Sequence, residues 1–182
     1  FQGMLMANGD VILRASVDAV REAAFLVFDT ESVPDGRLIQ LTKYPDEQLT
    51  PQEAVRRDQE EAREKSRDGS DFVPVSFHFP VAVCVARVGS DFRLNHIACL
   101  DAELFRPKKI TEQFWGGVAK YPRAKLVTFN GRGFDLPLLE LAAFRYGCCA
   151  LDYFQKSRNR YKGGIDLLDW QTHFGGYRPA RG

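Results

Sequence analysis

Two short apolar runs, each followed at once by acidic or amide side chains, constrain the fold of this chain most strongly. Residues 25–28 lead into Asp-Thr-Glu at 29–31, and residues 125–129 lead into a glycine-containing turn at 130–135. The apolar segment at residues 136–146, which has the length of a helix, follows this turn. Strand, glycine turn and helix make one unit of an α/β sheet. We therefore predict a buried central strand at each apolar run.

The rest of the chain supplies the other elements of an α/β domain. Residues 80–88 and 92–100 are β-prone runs on either side of a compact Gly-Ser-Asp turn, which predicts a β-hairpin. Residues 110–120 have the pattern of a helix. We expect Phe114, Trp115 and Phe144 to be core residues, because they are at helical spacing near apolar neighbours. The charged stretch at 53–68 predicts a solvated helix or a loop. We read residues 4–182 as one domain and residues 1–3, which precede Met4, as the remnant of an expression tag.

Composition excludes several classes of protein. The chain has 182 residues, 45% of them apolar, and a net charge of +1. It can therefore bury a core, and no overall charge attracts nucleic acid or an anionic membrane. No apolar run approaches the length of a membrane span, so we expect a cytoplasmic protein. The four cysteines form no C-x-x-C pair and are expected to be reduced thiols in the core: Cys84, Cys99, Cys148 and Cys149.

Acidic side chains at the ends of the two predicted strands are the candidate site. Asp29 and Glu31 are two residues apart, so a strand directs both to the same side. At about 4 Å and an effective dielectric of about 20, two carboxylates repel by about 4 kcal/mol, which calls for a cation or a proton between them. A solvated turn is the alternative for this pair. Asn130 and Asp135 could likewise be capping residues. Both motifs, however, lie at the C-terminal edge of a sheet, where α/β folds bind ligands.

A basic and aromatic segment lies between residues 153 and 164. It combines aromatic side chains, which can stack on bases, with cations, which can contact phosphates, as in proteins that bind single-stranded nucleic acid. A solvated basic loop would have the same composition. The aromatic residues are Tyr153, Phe154 and Tyr161, and the cations are Lys156, Arg158, Arg160 and Lys162.

The two acidic motifs resemble those of a known enzyme superfamily. Phe-Asp-Thr-Glu-Ser-Val-Pro-Asp at residues 28–35 and Leu-Val-Thr-Phe-Asn-Gly-Arg-Gly-Phe-Asp-Leu-Pro-Leu-Leu at 126–139 are similar to the first and second motifs of the DEDD exonucleases. More narrowly, they resemble predicted 3'-5' exonucleases related to the proofreading domain of B-family DNA polymerases. The resemblance implies an α/β, RNase H-like fold, a mixed five-stranded sheet flanked by helices.

The resemblance also implies a mechanism and its residues. Asp29 matches the carboxylate that bridges two Mg²⁺ or Mn²⁺ ions, Glu31 a ligand of the nucleophile-side metal, and Asp135 a ligand of the other metal. Carboxylates are the ligands that these hard cations prefer. The implied reaction is hydrolysis of phosphodiester bonds at single-stranded or frayed 3' ends, with DNA favoured over RNA. We assign substrate contacts to Thr30, Asn130, Phe134, Lys156, Arg158, Arg160 and Lys162.

The third acidic motif of the superfamily is missing after the second. No Tyr-x-x-x-Asp is present, and the His96 to Asp101 spacing precedes the second motif and falls in the predicted hairpin. Asp152, Asp166 and Asp169 are weaker substitutes, for which a cap, a loop or a salt bridge is the alternative. We therefore expect the domain to lack its C-terminal helices. The alternative function is a catalytically degenerate RNase H-like module that only binds nucleic acid; an unrelated α/β nucleotide-binding module also stays open.

Overall fold

A computed structural model describes residues 23–157 and 164–177, apart from the side chains of residues 156 and 157. The strands are β1 (Phe25–Pro34), β2 (His78–Val88), β3 (Leu94–Cys99), β4 (Lys125–Thr128) and β5 (Gly164–Asp166). The helices are α1 (Gly36–Lys43), α2 (Pro51–Lys65), α3 (Pro107–Lys120), α4 (Asp135–Tyr146) and α5 (Leu167–Gln171), with a 3-10 turn at Val75–Phe77 and a π-helical turn at Tyr153–Ser157.

The five strands form one mixed sheet in the order β3-β2-β1-β4-β5. β2 is antiparallel to both β1 and β3, whereas β4 is parallel to both β1 and β5. Three antiparallel strands therefore lie beside two parallel ones, with β1 at the centre. This topology confirms the predicted RNase H-like α/β fold.

The predicted elements are present, with shifts at their ends that have local causes. The second hairpin strand begins at Leu94 rather than at residue 92, because Phe92 has a φ of 62° and belongs to the turn. Helix α3 begins at residue 107, where a proline suits the first helical position. The charged stretch is helix α2, which begins with a capping box between Thr50 and Glu53. Gly147 ends α4 in the left-handed conformation that a C-cap glycine adopts.

The main core lies between the sheet and helices α3 and α4. Phe114 packs edge-on against Phe28 of β1, with ring centroids 4.8 Å apart, and the Trp115 indole N–H donates to the carbonyl of Leu139. The prediction that Phe114 and Trp115 are core residues is confirmed. The same prediction for Phe144 was wrong, since its side chain is 67% exposed and stacks on Phe154.

A smaller core lies beneath helices α1 and α2. It contains Ile39, Tyr44, Ala54 and Val73. This separate cluster explains how a segment as polar as α2 is held against the domain, because Ala54 supplies a fully buried contact within an otherwise charged sequence.

The expectation that the four cysteines are core residues was wrong for the two that are exposed. Cys84 and Cys149 are exposed, whereas Cys99 and Cys148 are half-buried and Cys148 packs against the main core; all four thiols are free. Their positions at the sheet surface and after α4 could not be inferred from residue type.

Within the described ranges, no helix combines the length and the apolar character that crossing a membrane requires.

Candidate active site

Strand β1 carries the first acidic motif on its exposed side. Asp29 and Glu31 are both exposed, and Thr30 between them is buried, as the two-residue period of a strand requires. The break in the pairing of β1 with β2 falls after Glu31, so the alternation is intact through the motif. The sequence folds this way because Leu26, Phe28 and Thr30 all point into the core layer.

Asp135 is the first residue of helix α4 and lies against the middle of β1, at Thr30. Its side chain is buried, with the residue only 4% exposed, and its Oδ1 accepts a hydrogen bond from the Thr30 hydroxyl at 2.6 Å. The backbone N–H of Thr30 also donates to this carboxylate. Strand β4 stops pairing with β1 at Val27. The Asp135 carboxylate therefore contacts β1 at Thr30, beyond the last residue of β1 that pairs with β4.

The Asp135 carboxyl is affected by its burial and by the charge of Asp29. Burial raises the pKa of the Asp135 carboxyl above its usual range; the hydrogen bond from Thr30 opposes this rise, and the nearby negative charge of Asp29 adds to it. A buried carboxylate that faces a second carboxylate is stabilised in its charged form by a cation placed between them. The site therefore has the electrostatic character of a cation-binding site.

The turn between β4 and α4 has a tightly constrained backbone. Asn130 has a φ of 60°, a left-handed conformation that asparagine tolerates better than most residues. A Cβ atom on Gly131 would lie 2.4 Å from the Thr128 side chain, so only glycine fits there. The Gly131 carbonyl accepts from the N–H of Leu136 at 2.8 Å. These constraints fix where α4 begins and hence where Asp135 lies.

Asp166, at the end of β5, holds this turn from the other side. Its carboxylate accepts from the backbone N–H groups of Asn130 at 2.8 Å, of Arg132 at 3.0 Å and of Leu168 at 3.0 Å. Asp169 forms an ion pair with Arg132, 3.2 Å away. Asp166 is therefore a capping residue, and Asp169 is a partner in a salt bridge. These are the alternatives to a metal-ligand role that the sequence left open for them.

An aromatic cluster borders the second motif. Phe134 contacts Phe72 edge-on at 5.7 Å between ring centroids, and Phe72 stacks on His78 at 5.2 Å. Phe72 is 53% exposed, and His78 Nδ1 lies 2.9 Å from the Ser32 hydroxyl. Burial lowers the pKa of His78. Phe72 and His78 were not among the predicted site residues, because no spacing in the sequence links them to Asp135.

The predicted basic and aromatic segment is only partly described. Tyr153 is buried, donates a hydrogen bond from its hydroxyl to Glu140 and packs on Trp115, and Phe154 stacks between Trp115 and Phe144. Those two aromatics thus belong to the core, which corrects their assignment as stacking residues. The side chains of Lys156, Arg158, Arg160 and Lys162 lie outside the described part of the chain.

The carboxylates are the candidate metal ligands. The negative charge of Asp29 acts on Asp135, and Glu31 lies on the same side of β1 as Asp29. Within residues 23–157 and 164–177, no group of three or more His, Cys, Asp or Glu side chains is close enough to hold a metal ion. Oxygen-only ligands suit Mg²⁺ or Mn²⁺, which are commonly held by one or two carboxylates together with substrate phosphates.

Comparison with protein families identifies the chain. The sequence model of the predicted 3'-5' exonucleases related to the exonuclease domain of PolB matches residues 70–178, more than half of the chain. The chain belongs to this family. The match includes the second motif with Asp135 and begins after Asp29 and Glu31, so this exonuclease-family assignment is independent of the first motif.

Comparison with solved structures finds distant likenesses for this exonuclease-family chain. An ExoI/SSB-Ct complex has 13% identity and a TM-score of 0.47 over 87% of this chain and 31% of the other. E. coli Exonuclease I in complex with a dT13 oligonucleotide has 13% identity and a TM-score of 0.45 over 86% and 30%. The chain thus spans less than a third of these proteins. Comparison with curated proteins found no match.

Proposed function

We propose that this domain is a two-metal 3'-5' exonuclease. Its substrate is the single-stranded or frayed 3' end of a nucleic acid, with DNA preferred over RNA. Membership of the exonuclease family supports the nuclease chemistry. The observation that carries the proposal for this site is the hydrogen bond from Thr30 to Asp135, which joins two acidic motifs that are 105 residues apart in sequence.

The residues at this site fit divalent cations. Asp29 and Asp135 would hold Mg²⁺ or Mn²⁺, because a buried carboxyl near a second carboxylate is stabilised in its charged form by a cation. Glu31, on the same side of β1 as Asp29, is the third ligand that we propose. When bound, two such ions supply Lewis-acid stabilisation of the attacking and leaving oxygens of an in-line phosphoryl displacement. The limited number of carboxylates among the described residues fits cations that complete their coordination with substrate phosphate.

The chain's own residues would orient the site and the substrate. Thr30 fixes one oxygen of Asp135, so we propose it as a positioning residue rather than a substrate contact. Asn130 is exposed at the turn, and its Oδ1 lies over Gly133, where it can contact substrate. Phe134, half-buried against Phe72 and adjacent to Asp135 in the sequence, is proposed to contact substrate. For Lys156, Arg158, Arg160 and Lys162, phosphate binding stays a prediction from sequence.

A nuclease assay with the full chain tests this proposal. We expect a 5'-labelled single-stranded oligonucleotide to shorten stepwise from its 3' end with Mg²⁺ or Mn²⁺, and to stay intact with EDTA. Asp29→Asn should lower the rate by more than about 100-fold, because loss of groups that merely support metal ligands already costs about 10–100-fold. Asp91→Asn, in the exposed turn between β2 and β3, is the matched control. A wild-type rate for Asp29→Asn would contradict the site assignment.

A binding module without nuclease activity is the second candidate. The observation that favours it is the shortage of acidic ligands among the described residues, since Asp166 and Asp169 are engaged by the turn and by Arg132. In that case the chain would bind the oligonucleotide, and no product would form with either metal. The same assay therefore separates the two functions.

A further inference from the structure

Two cysteines, Cys84 and Cys99, lie in line with Asp29 across three neighbouring strands of the sheet. In the sheet, Asp29 of β1 pairs with Cys84 of β2, and Cys84 pairs with Cys99 of β3. Directly paired residues of antiparallel strands point to the same face. Asp29 and Cys84 are both exposed, and Cys99 is half-buried. A pair of free thiols therefore lies next to the acidic motif on the same face of the sheet.

The pairing geometry brings the two thiols together. The N–H of Leu100 donates to the carbonyl of Val83 at 2.8 Å, which makes Val83 and Leu100 a hydrogen-bonded pair. The next pair, Cys84 and Cys99, is then a non-hydrogen-bonded pair, in which Cα atoms are about 4.5 Å apart and side chains are closest. That spacing lies within the range that disulfides span. The Cys99 thiol also raises the pKa of the Cys84 thiol, as a close neighbour does.

The surroundings of Cys84 connect this pair to Asp29. The contact with Cys99 raises the pKa of the Cys84 thiol, and partial burial and the negative charge of Asp29 raise it further. Asp29 and Cys84 are also directly paired across β1 and β2. A group attached to Cys84 would therefore lie beside Asp29.

We propose that Cys84 and Cys99 are a reversible modification site for low-molecular-weight disulfides such as oxidised glutathione. The exposed Cys84 loses its proton to solvent and attacks one sulfur of glutathione disulfide, which forms a mixed disulfide and releases one glutathione thiolate. Cys99 then loses its proton and attacks the Cys84 sulfur, which releases the second glutathione. Two protein thiols are oxidised to one disulfide, and one glutathione disulfide is reduced to two thiols, each of which takes up a proton.

Removal of glutathione in the second step would keep the site beside Asp29 accessible; this effect rests on the proposed nuclease function. A glutathionyl group on Cys84 would add bulk and two carboxylates next to Asp29, where metal and substrate phosphate bind. Cys99 removes that group by exchange and leaves a compact, uncharged disulfide. The disulfide between Cys84 and Cys99 thereby leaves Asp29 accessible to metal and substrate after oxidation.

Peptide mapping of the full chain tests the modification independently of nuclease activity. Cys148→Ser/Cys149→Ser is the background, which removes the other two cysteines. After treatment with oxidised glutathione and trypsin, Arg87 and Arg93 are cleavage sites between the two cysteines. We expect one disulfide-linked pair of peptides, a loss of two hydrogen atoms from the intact mass, and reversal by dithiothreitol.

Cys99→Ser in the same background isolates the first step. We expect it to retain glutathione on Cys84 and to lose nuclease activity in proportion to the adduct, with activity restored by dithiothreitol. The proposal is overturned if the background protein also retains the adduct, or if its native form does not react while its urea-unfolded form does. If neither protein shows nuclease activity in its reduced form but the linked peptides form, the modification site stands and the proposed nuclease function fails.

Discussion

At the scale of single residues, the Thr30 hydroxyl is the link between the two motifs. We predict that Thr30→Val lowers the nuclease rate by about 10–100-fold, because groups that orient metal ligands typically have effects of this size. Valine keeps the branched shape and the strand preference of threonine but cannot donate to Asp135. The rate at several Mn²⁺ concentrations measures the effect, which should include a higher metal requirement.

Thr30→Ser is the matched control for this prediction. Serine keeps the hydroxyl and loses only a methyl group, so its rate should stay within a few-fold of the wild-type rate. If the serine and valine variants lose the same activity, packing at this buried position matters and the hydroxyl does not.

The sequence predicted some of these residue-level features and could not predict others. Asp29 and Glu31 lie on one side of β1, as predicted, because a strand's period depends only on local geometry. The contact of Thr30 with Asp135 and the pairing of Cys84 with Cys99 depend on how distant segments meet. No spacing along the chain carries that information, and for this reason Cys84 was assigned to the core.

At the scale of elements, Asp166 joins β5, the turn after β4 and the start of α5. We predict that Asp166→Asn lowers the free energy of unfolding by about 1–3 kcal/mol, because hydrogen bonds to a charged acceptor are worth about 1.5–3 kcal/mol each and an amide replaces them only in part. Three backbone N–H groups depend on this carboxylate. Urea unfolding followed by circular dichroism measures the change.

Asp91→Asn is the control for Asp166→Asn. Asp91 accepts a backbone hydrogen bond from Arg93 in an exposed turn, so its replacement should change the unfolding free energy by no more than about 0.5 kcal/mol. Full stability of Asp166→Asn together with loss of Mn²⁺ binding would contradict the structural role and would make Asp166 the missing metal ligand.

The existence of most elements was predictable, and their ends were less so. The hairpin, the buried strands and helices α3 and α4 follow from apolar patterns, capping residues and turns. Their boundaries move by a few residues where a single backbone conformation decides, as at Phe92. The aromatic residues of the basic segment were misassigned at Tyr153 and Phe154, because composition cannot distinguish a stacking surface from a core turn.

The cations of the same segment carry a separate prediction. Replacement of Lys156, Arg158, Arg160 and Lys162 by serine should weaken single-strand binding and reduce the salt dependence of affinity. Each lost phosphate contact removes about 0.7 from the slope of log affinity against log salt, so four contacts would remove about 3. The control carries serine at four cations in or just beyond helix α2: Arg56, Arg63, Lys65 and Arg67. An equal slope for both variants would show that the four cations make no phosphate contacts, as in a solvated basic loop.

At the scale of the whole molecule, the sheet order came from the resemblance and not from patterning. Apolar runs predicted which segments are strands, but they did not say that β1 lies between β2 and β4. The central position of β1 follows from pairing between segments that are about 55 and 100 residues apart, and such long-range pairing is set by the global fold. The observed topology places the first motif within β1, just beyond the residues that pair with β4, and so beside the turn that follows β4. A shared site is therefore geometrically feasible.

The shortage of carboxylates in the described part of the chain leads to a prediction about how the metal ion and the oligonucleotide affect each other's binding. If substrate phosphate completes the metal coordination, metal and oligonucleotide must each tighten the binding of the other by the same factor. We predict weak Mn²⁺ binding alone and a 5- to 150-fold gain, roughly the usual range of such coupling, with an uncleavable phosphorothioate oligonucleotide that has a free 3' end. Calorimetric titration in both orders measures this factor. Asp29→Asn should remove the coupling and leave metal-free oligonucleotide binding unchanged, whereas tight Mn²⁺ binding without oligonucleotide and no coupling would show that the protein alone completes the metal site.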